Sequence, residues 1–216
     1  GNPDFVPALL RALDKQEDVG RAFKIVNVLK TFKNVLDKSL VKKFLSKTFS
    51  MLDKKESGFQ TYFEIVRAAA PDLAKKEVVA RGRDLLRSKH FEDAERVLRL
   101  VQNNDLTTPE GDLAIGIAQL RQQRLDPANA GRDQGNALGH FLKLSRKEGY
   151  DLLKHLDKEA GLVSPEGLLY LGFAFTERQG SDRDLGGGIL KLVAKRFGSK
   201  EEGKVAKQKL KTQGLA

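Results

Sequence analysis

The sequence predicts an all-α chain of antiparallel helix pairs stacked side by side, about ten helices in all. Three observations carry this. Apolar residues recur at helical spacing along the chain, without strand-like alternation. The positions Gly82, Leu85, Phe91, Ala94 and Leu98 are echoed by Gly116, Leu120 and Ala128, and more loosely by Gly172, Phe175 and Gly188. Two nearly identical tetrapeptides, Thr108-Pro109-Glu110-Gly111 and Ser164-Pro165-Glu166-Gly167, each join a hydroxyl cap, a proline at the first helical position and an acid near the positive end of the helix dipole. Such self-similarity marks a stacked array whose units cannot bury their apolar faces alone.

The bulk numbers fit a folded chain and exclude several classes. At 216 residues, 40% apolar and 31% charged, the chain has the composition of a folded globular protein with a substantial core. Its longest apolar runs, such as residues 168–175, fall short of the roughly 18 residues a membrane span needs. The start, Gly1-Asn2-Pro3, has neither an initiator Met nor a signal-peptide pattern, so a piece of a longer protein is expected. The absence of cysteine excludes disulfides and thiolate metal sites, and a cytoplasmic location is expected. The net charge of +10 is unevenly placed: positions 1–90 hold 19 Lys and Arg against 11 acids, and the stretch 24–55 holds nine lysines with only Asp37 and Asp53 opposing them.

Taken in order, Pro3 with Leu9, Leu10 and Leu13 predicts a helix over 3–15, with a turn at 16–18. Phe23, Ile25, Val26 and Leu29 predict the next over 19–31, before a break near 34–39. Leu40, Val41, Phe44, Leu45, Phe49 and Leu52 form the clearest amphipathic stripe, with Lys42, Lys43, Lys47 and Lys54 off it. Ser57-x-x-Gln60 has the form of a capping box opening a helix to about residue 70, where Pro71 ends it. Asp72 is placed to cap a helix over 73–88, and another over 91–103 follows. Beyond residue 108 the two tetrapeptides head a duplicated unit of slightly over 50 residues and about three helices. Its further matches are Arg132-Asp133-x-Gly135 with Arg183-Asp184-x-Gly186, Leu142 with Leu192 or Val193, and Gly161-Leu162 with Gly214-Leu215. Ser199-x-x-Glu202 is placed to cap the last helix, which ends before Gly214.

The stretch 78–104 resembles a tetratricopeptide repeat. Gly82 stands where that family places a small residue, Leu85 and Phe91 stand where it has tyrosines, Ala94 fits the tight contact on the second helix, and Leu98 takes the place of its large apolar residue. Gly116 lies 34 positions beyond Gly82, and Ala128 lies 34 beyond Ala94, which is the family's repeat length. The sequence departs from the family pattern in having Val78 at the tryptophan-like position, no closing proline near Leu106, and an insertion at 146–163. The resemblance implies a right-handed α-solenoid with a concave face for peptides or partner proteins, and it implies no catalysis. The organisation expected is a basic helical region at 1–71 followed by repeats at 72–216, which can also run together as one solenoid.

No residue set has the spacing of a catalytic, cofactor or metal site. His90, His140 and His155 lack any metal-binding grouping and read as surface or half-buried polar residues. Gly186-Gly187-Gly188 lacks the Gly-Lys-Ser/Thr ending of a nucleotide loop and reads as helix packing or a joint. No cofactor is expected. The function expected is a non-catalytic scaffold for another protein, one with an acidic or extended segment, and the residues proposed to meet it are Lys42, Lys43, Lys47, Arg83 and Arg87. The alternative is nucleic-acid or anionic-surface binding through the lysine-rich helices. It is weakened because lysine lacks the forked contacts of arginine and because no aromatic is expected on their polar face.

Overall fold

The computed structural model describes residues 2–16, 18–32, 38–123 and 136–215. Among the described residues every regular element is helical: a short 3-10 turn at Pro3–Phe5 and thirteen α-helices. These are α1 (Val6–Asp14), α2 (Val19–Lys30), α3 (Lys38–Asp53), α4 (Phe59–Ala69), α5 (Pro71–Arg87), α6 (Phe91–Gln102), α7 (Pro109–Gln122), α8 (Asn136–Ser145), α9 (Leu152–Lys158), α10 (Ala160–Val163), α11 (Pro165–Thr176), α12 (Ser181–Arg196) and α13 (Glu201–Thr212). The number exceeds the ten expected partly because the stretch read as an insertion carries two short helices, α9 and α10. Two units divide the chain: Gly1–Arg81 with Arg96–Thr107, and Gly82–Glu95 with Thr108–Ala216. Ala128 and the Arg132-Asp133-x-Gly135 match lie outside the described residues.

In the first unit α1 packs on α2, and α4 packs on both α2 and α3. The α3 stripe behaves as its spacing predicts, with Val41, Phe44, Leu45 and Leu52 buried and Lys42 and Lys43 exposed. Buried with them is Thr48, whose hydroxyl donates to Phe44 O at 2.9 Å and so meets its own need inside the core. The rings of Phe44 and Tyr62 stack with centroids 6.0 Å apart, joining α3 to α4. On α2 the buried face is Ala22, Val26 and Leu29. Phe23, expected in that stripe, is 51% exposed, since one step along a helix turns a side chain by about 100°. Glu64 on α4 takes Lys30 of α2 at 2.6 Å and Arg67 at 3.0 Å. Burial alone would raise this carboxyl, but the hydrogen bonds and charges of those two cations outweigh it and hold it below the usual range.

The turn from α3 to α4 departs from the expected capping box. Lys55 adopts a left-handed φ of 58°, and Glu56 N and Lys55 N close back on Met51 O and Leu52 O at 2.9 and 3.1 Å, sealing the end of α3. The chain then enters α4 through Gly58 at φ 91°, which makes Gly58 the N-cap in place of Ser57, and no side chain caps the helix. Two other expected caps also fail. Pro71 already occupies the first position of α5, so Asp72 sits inside the first turn, paired with Lys75 at 3.1 Å. Lys200 is the N-cap of α13 and no side chain caps that helix, so Ser199 falls one residue short.

The second unit is organised by the two tetrapeptides. Thr108 Oγ accepts from Gly111 N at 3.0 Å and Ser164 Oγ accepts from Gly167 N at 3.1 Å, as the sequence predicts. The helices they open are buried almost all round: every residue from Gly111 to Leu120 on α7, and all but Phe173 between Gly167 and Thr176 on α11. Next to them pack α8 on α7 and α12 on α11, with α10 touching both central helices and α13 covering α11 and α12. Glycine sets the spacing. A Cβ on Gly116 would lie 3.1 Å from His140 Cβ and from the Phe141 ring, and one on Gly172 would lie 2.6 Å from Leu190 Cδ2. Gly186 is tighter still, since its added Cβ would meet backbone, Thr176 N at 2.5 Å and Phe175 C at 2.8 Å. Within the triple glycine of α12, Gly186 and Gly188, the latter 2.8 Å from Leu153 Cδ2 by the same measure, serve close packing, whereas Gly187 meets Leu215 only at 3.5 Å. The match of Gly161 with Gly214 does not extend to conformation: Gly161 lies inside α10, whereas Gly214 has φ 64° in the turn where Leu215 N reaches back to Leu210 O at 2.9 Å and closes α13.

These approaches give substitutions of opposite sign. Gly186→Ala is expected to cost at least about 2 kcal/mol of stability because backbone must shift to admit the methyl group. Gly139→Ala on α8, with nothing within 4 Å of its Cβ, is expected to gain roughly 0.5–1 kcal/mol from helix propensity. Urea denaturation of the two variants beside the wild type reads both changes.

Candidate functional site

The first unit carries a cleft of about 570 Å³, within the range of about 300–1,000 Å³ typical of ligand pockets. Its walls come from separate segments: Asp14 and Gln16 at the end of α1, Ala22 on α2, Lys47 and Met51 on α3, the turn at Glu56, Ser57 and Gly58, and Thr61 and Tyr62 on α4. Tyr62 is 4% exposed and its hydroxyl lies 3.5 Å from Leu13 O. Lys47 Nζ stands 4.5 Å from the centre of its ring, a cation over an aromatic face. Asp14 is shared unequally between two lysines, Lys43 at 2.5 Å and Lys47 at 4.0 Å. Glu56 lies 4.0 Å from Lys54.

Of the residues proposed from sequence, Lys43 and Lys47 are thus brought together at Asp14, one turn apart on α3, and Lys47 faces the cleft. Lys42 is exposed on the same helix. Arg83 and Arg87 belong to the second unit. There Arg83 pairs with Glu159, which is 9% exposed, and Arg87 pairs with Asp84 one turn away at 2.7 Å. Sequence reasoning missed Asp14, Thr61 and Tyr62, because the four helices that bring them together are linked by no local pattern. The signal at hand was the Ser57-Gly58 step, read as a cap.

A polar cluster also lies in the second unit. Asp112, 6% exposed, accepts from Lys143 at 2.7 Å and lies 3.4 Å from His140 Nδ1. Burial would raise its carboxyl, but hydrogen bonds from His140 and Lys143 and their charges hold it down. Tyr150 stacks on His155, with centroids 4.4 Å apart and planes 4° apart, and its buried hydroxyl has no hydrogen-bond partner. Burial first, and then the charge of Glu110, push that phenol up to about 12. Among the described residues no group of three or more histidines and acids can hold a metal ion. Comparison with protein-family models, with curated proteins and with solved structures returns no match.

The cluster sets two pH limbs. Asp112 binds fewer protons when folded than when unfolded, so its stabilising effect is present above the ordinary carboxylate value of about 4 and is lost as pH falls through the lower native one. Replacing it by Asn is expected to flatten the acid limb of a stability curve. Tyr150 has the opposite sign: its contribution is complete below pH 10 and declines as pH rises toward about 12. Tyr150→Phe removes the unpaired hydroxyl, so chemical denaturation at neutral pH is expected to show a gain of about 1 kcal/mol, with a shallower decline between pH 10 and 12.

Proposed function

We propose that this chain is a non-catalytic scaffold built from tetratricopeptide-like helical repeats, and that it docks an acidic or extended segment of another protein. The observation that carries this reading is the cleft of the first unit, where a lysine-rich helix meets an aromatic floor. Aromatic and aliphatic surface supplies the apolar contact that holds a segment, and lysines along α3 supply the long-range attraction that selects an acidic one. The all-helical architecture and the close helix pairing at Gly116 and Gly172 support the repeat assignment. A piece of a larger cytoplasmic protein fits this role.

One observation favours a second reading, binding of nucleic acid or an anionic surface. Phe23 is 51% exposed beside Lys24 on α2, so the basic region does present an aromatic to solvent. Arg21 is the one arginine on α2 among its lysines, and so lysine-rich a face weighs against base-specific recognition.

Affinity capture with the chain, identified by mass spectrometry and followed by titration of the captured partner, tests the first reading. Changing Lys42, Lys43 and Lys47 together to Glu is expected to weaken that binding at least about tenfold and to flatten its dependence on salt. Undiminished binding removes the role given to α3. A gel-shift titration with RNA and DNA at low and moderate salt tests the second reading, which requires binding at low salt.

A further inference from the structure

We propose that the second unit carries a separate binding surface, a row of lysines on α13 and the turn before it, which holds the phosphate backbone of a nucleic-acid duplex without reading its bases. Beyond residue 90 charge is segregated along the chain. Positions 91–190 hold 12 Lys and Arg against 16 acids, whereas positions 191–216 hold eight against two.

The fold leaves most of these cations free. The buried face of α13 is Gly203, Ala206 and Leu210, in a helix packed on α11 and α12. Three of the eight cations meet acids: Arg196 with Asp157 at 2.5 Å, Lys209 with Glu177 at 2.7 Å, and Lys204 with Glu201 at 3.7 Å. Lys191, Lys195, Lys200, Lys207 and Lys211 are exposed and pair with no acid among the described residues. Lys204, Lys207 and Lys211 stand at i, i+3 and i+7, within about 60° of one another around the helix, and Lys200 is its N-cap. Two ammonium groups stand at the turn between α12 and α13: Lys207 Nζ lies 3.4 Å from the place a Cβ on Gly198 would take, and Lys200 Nζ lies 5.8 Å from the centre of the Phe197 ring. From Lys204 to Lys211 the row runs about 10 Å along the helix axis, a length over which one strand of a duplex presents about three phosphates.

The surroundings of the row select the partner. The exposed large apolar residues among those described, Phe5, Phe23 and Val28, all lie in the first unit. Beside α13 there is thus no large exposed side chain to enter a bilayer and no exposed ring on which unpaired bases would stack. Exposed pairs of lysine with carboxylate contribute little, whereas each phosphate neutralised releases condensed counterions, which favours a duplex over an acidic peptide. Lysine supplies point charge without a fork, which suits phosphates and not base edges.

The test measures the full chain against a labelled DNA duplex by fluorescence anisotropy, over about 50 to 200 mM salt. Affinity is expected to fall steeply with salt and to be equal for a duplex of unrelated sequence. Lys200→Gln, Lys207→Gln and Lys211→Gln together are expected to weaken binding at least about tenfold at low salt and to lower the slope of log affinity against log salt by about two to three. Thermal melting followed by circular dichroism is expected to be unchanged; should the triple variant melt early, the single variants, each lowering the slope by about one, carry the test. Changing Lys42, Lys43 and Lys47 to Gln is expected to leave the part of the slope due to α13 in place. Unchanged binding in the α13 variants, loss confined to the α3 variant, or dependence on sequence overturns the row and leaves the docking reading of the first unit standing. Equal or tighter retention on phosphatidylcholine vesicles containing phosphatidylserine, or on oligoglutamate, at the same charge concentration overturns the duplex as its partner.

Discussion

Close approach of helix backbones at glycine governs the second unit. Gly116 and Gly172 stand at equivalent places in the two tetrapeptide-led halves, eight residues after the capping Thr108 and Ser164. Each admits the following helix to a distance that any side chain would obstruct. Because α8 and α12 come so near, α7 and α11 are covered almost all round, which permits their continuous apolar sequences. Glycine costs roughly 1 kcal/mol in helix propensity relative to alanine, so its retention inside α7, α11 and α12 is a local penalty offset by the packing it permits. Gly186 shows the limit of this, since the neighbour there is backbone and has no rotamer to yield.

The first unit is held by different means. Its helices join through an aromatic pair, Phe44 and Tyr62, and through ion pairs between helices, Lys30 with Glu64 and Lys43 with Asp14. The Lys43–Asp14 pair is exposed and contributes little to stability, whereas Lys30–Glu64 is half-buried, and the apolar stripe of α3 supplies the buried contact between these helices. The cleft arises at the same place. The left-handed steps at Lys55 and Gly58 swing the chain from α3 into α4 and leave the start of α4 uncapped beside Lys47. The apolar stripe of α3 and the lysines beside the cleft thus lie on different faces of one helix.

Much of the fold was legible in the sequence because its signals are local. The stripe on α3, the stop at Pro71, and the hydroxyl-proline-acid starts of α7 and α11 each depend on residues within a turn or two, and the structure follows them. The failures are local readings overruled by neighbours. Ser57 and Ser199 carry the residue pattern of a cap, but the backbone enters each helix one residue later, at Gly58 and Lys200. Phe23 fits a helical stripe on paper, yet the face that α2 turns inward runs through Ala22, Val26 and Leu29.

By itself the sequence determined the helical class, most helix limits and the duplicated starts at Thr108 and Ser164, since periodicity, proline and capping chemistry act over a few residues. It also marked α3 as basic and placed Lys42, Lys43 and Lys47 on it. Only the tertiary structure decided which lysine keeps a loose partner, that Asp14, Thr61 and Tyr62 share a cleft with Lys47, and that Arg83 spends its charge on Glu159. The physical reason is that a side chain's pairing depends on what other helices bring to it, and those encounters span 48 residues between Asp14 and Tyr62 and 76 between Arg83 and Glu159.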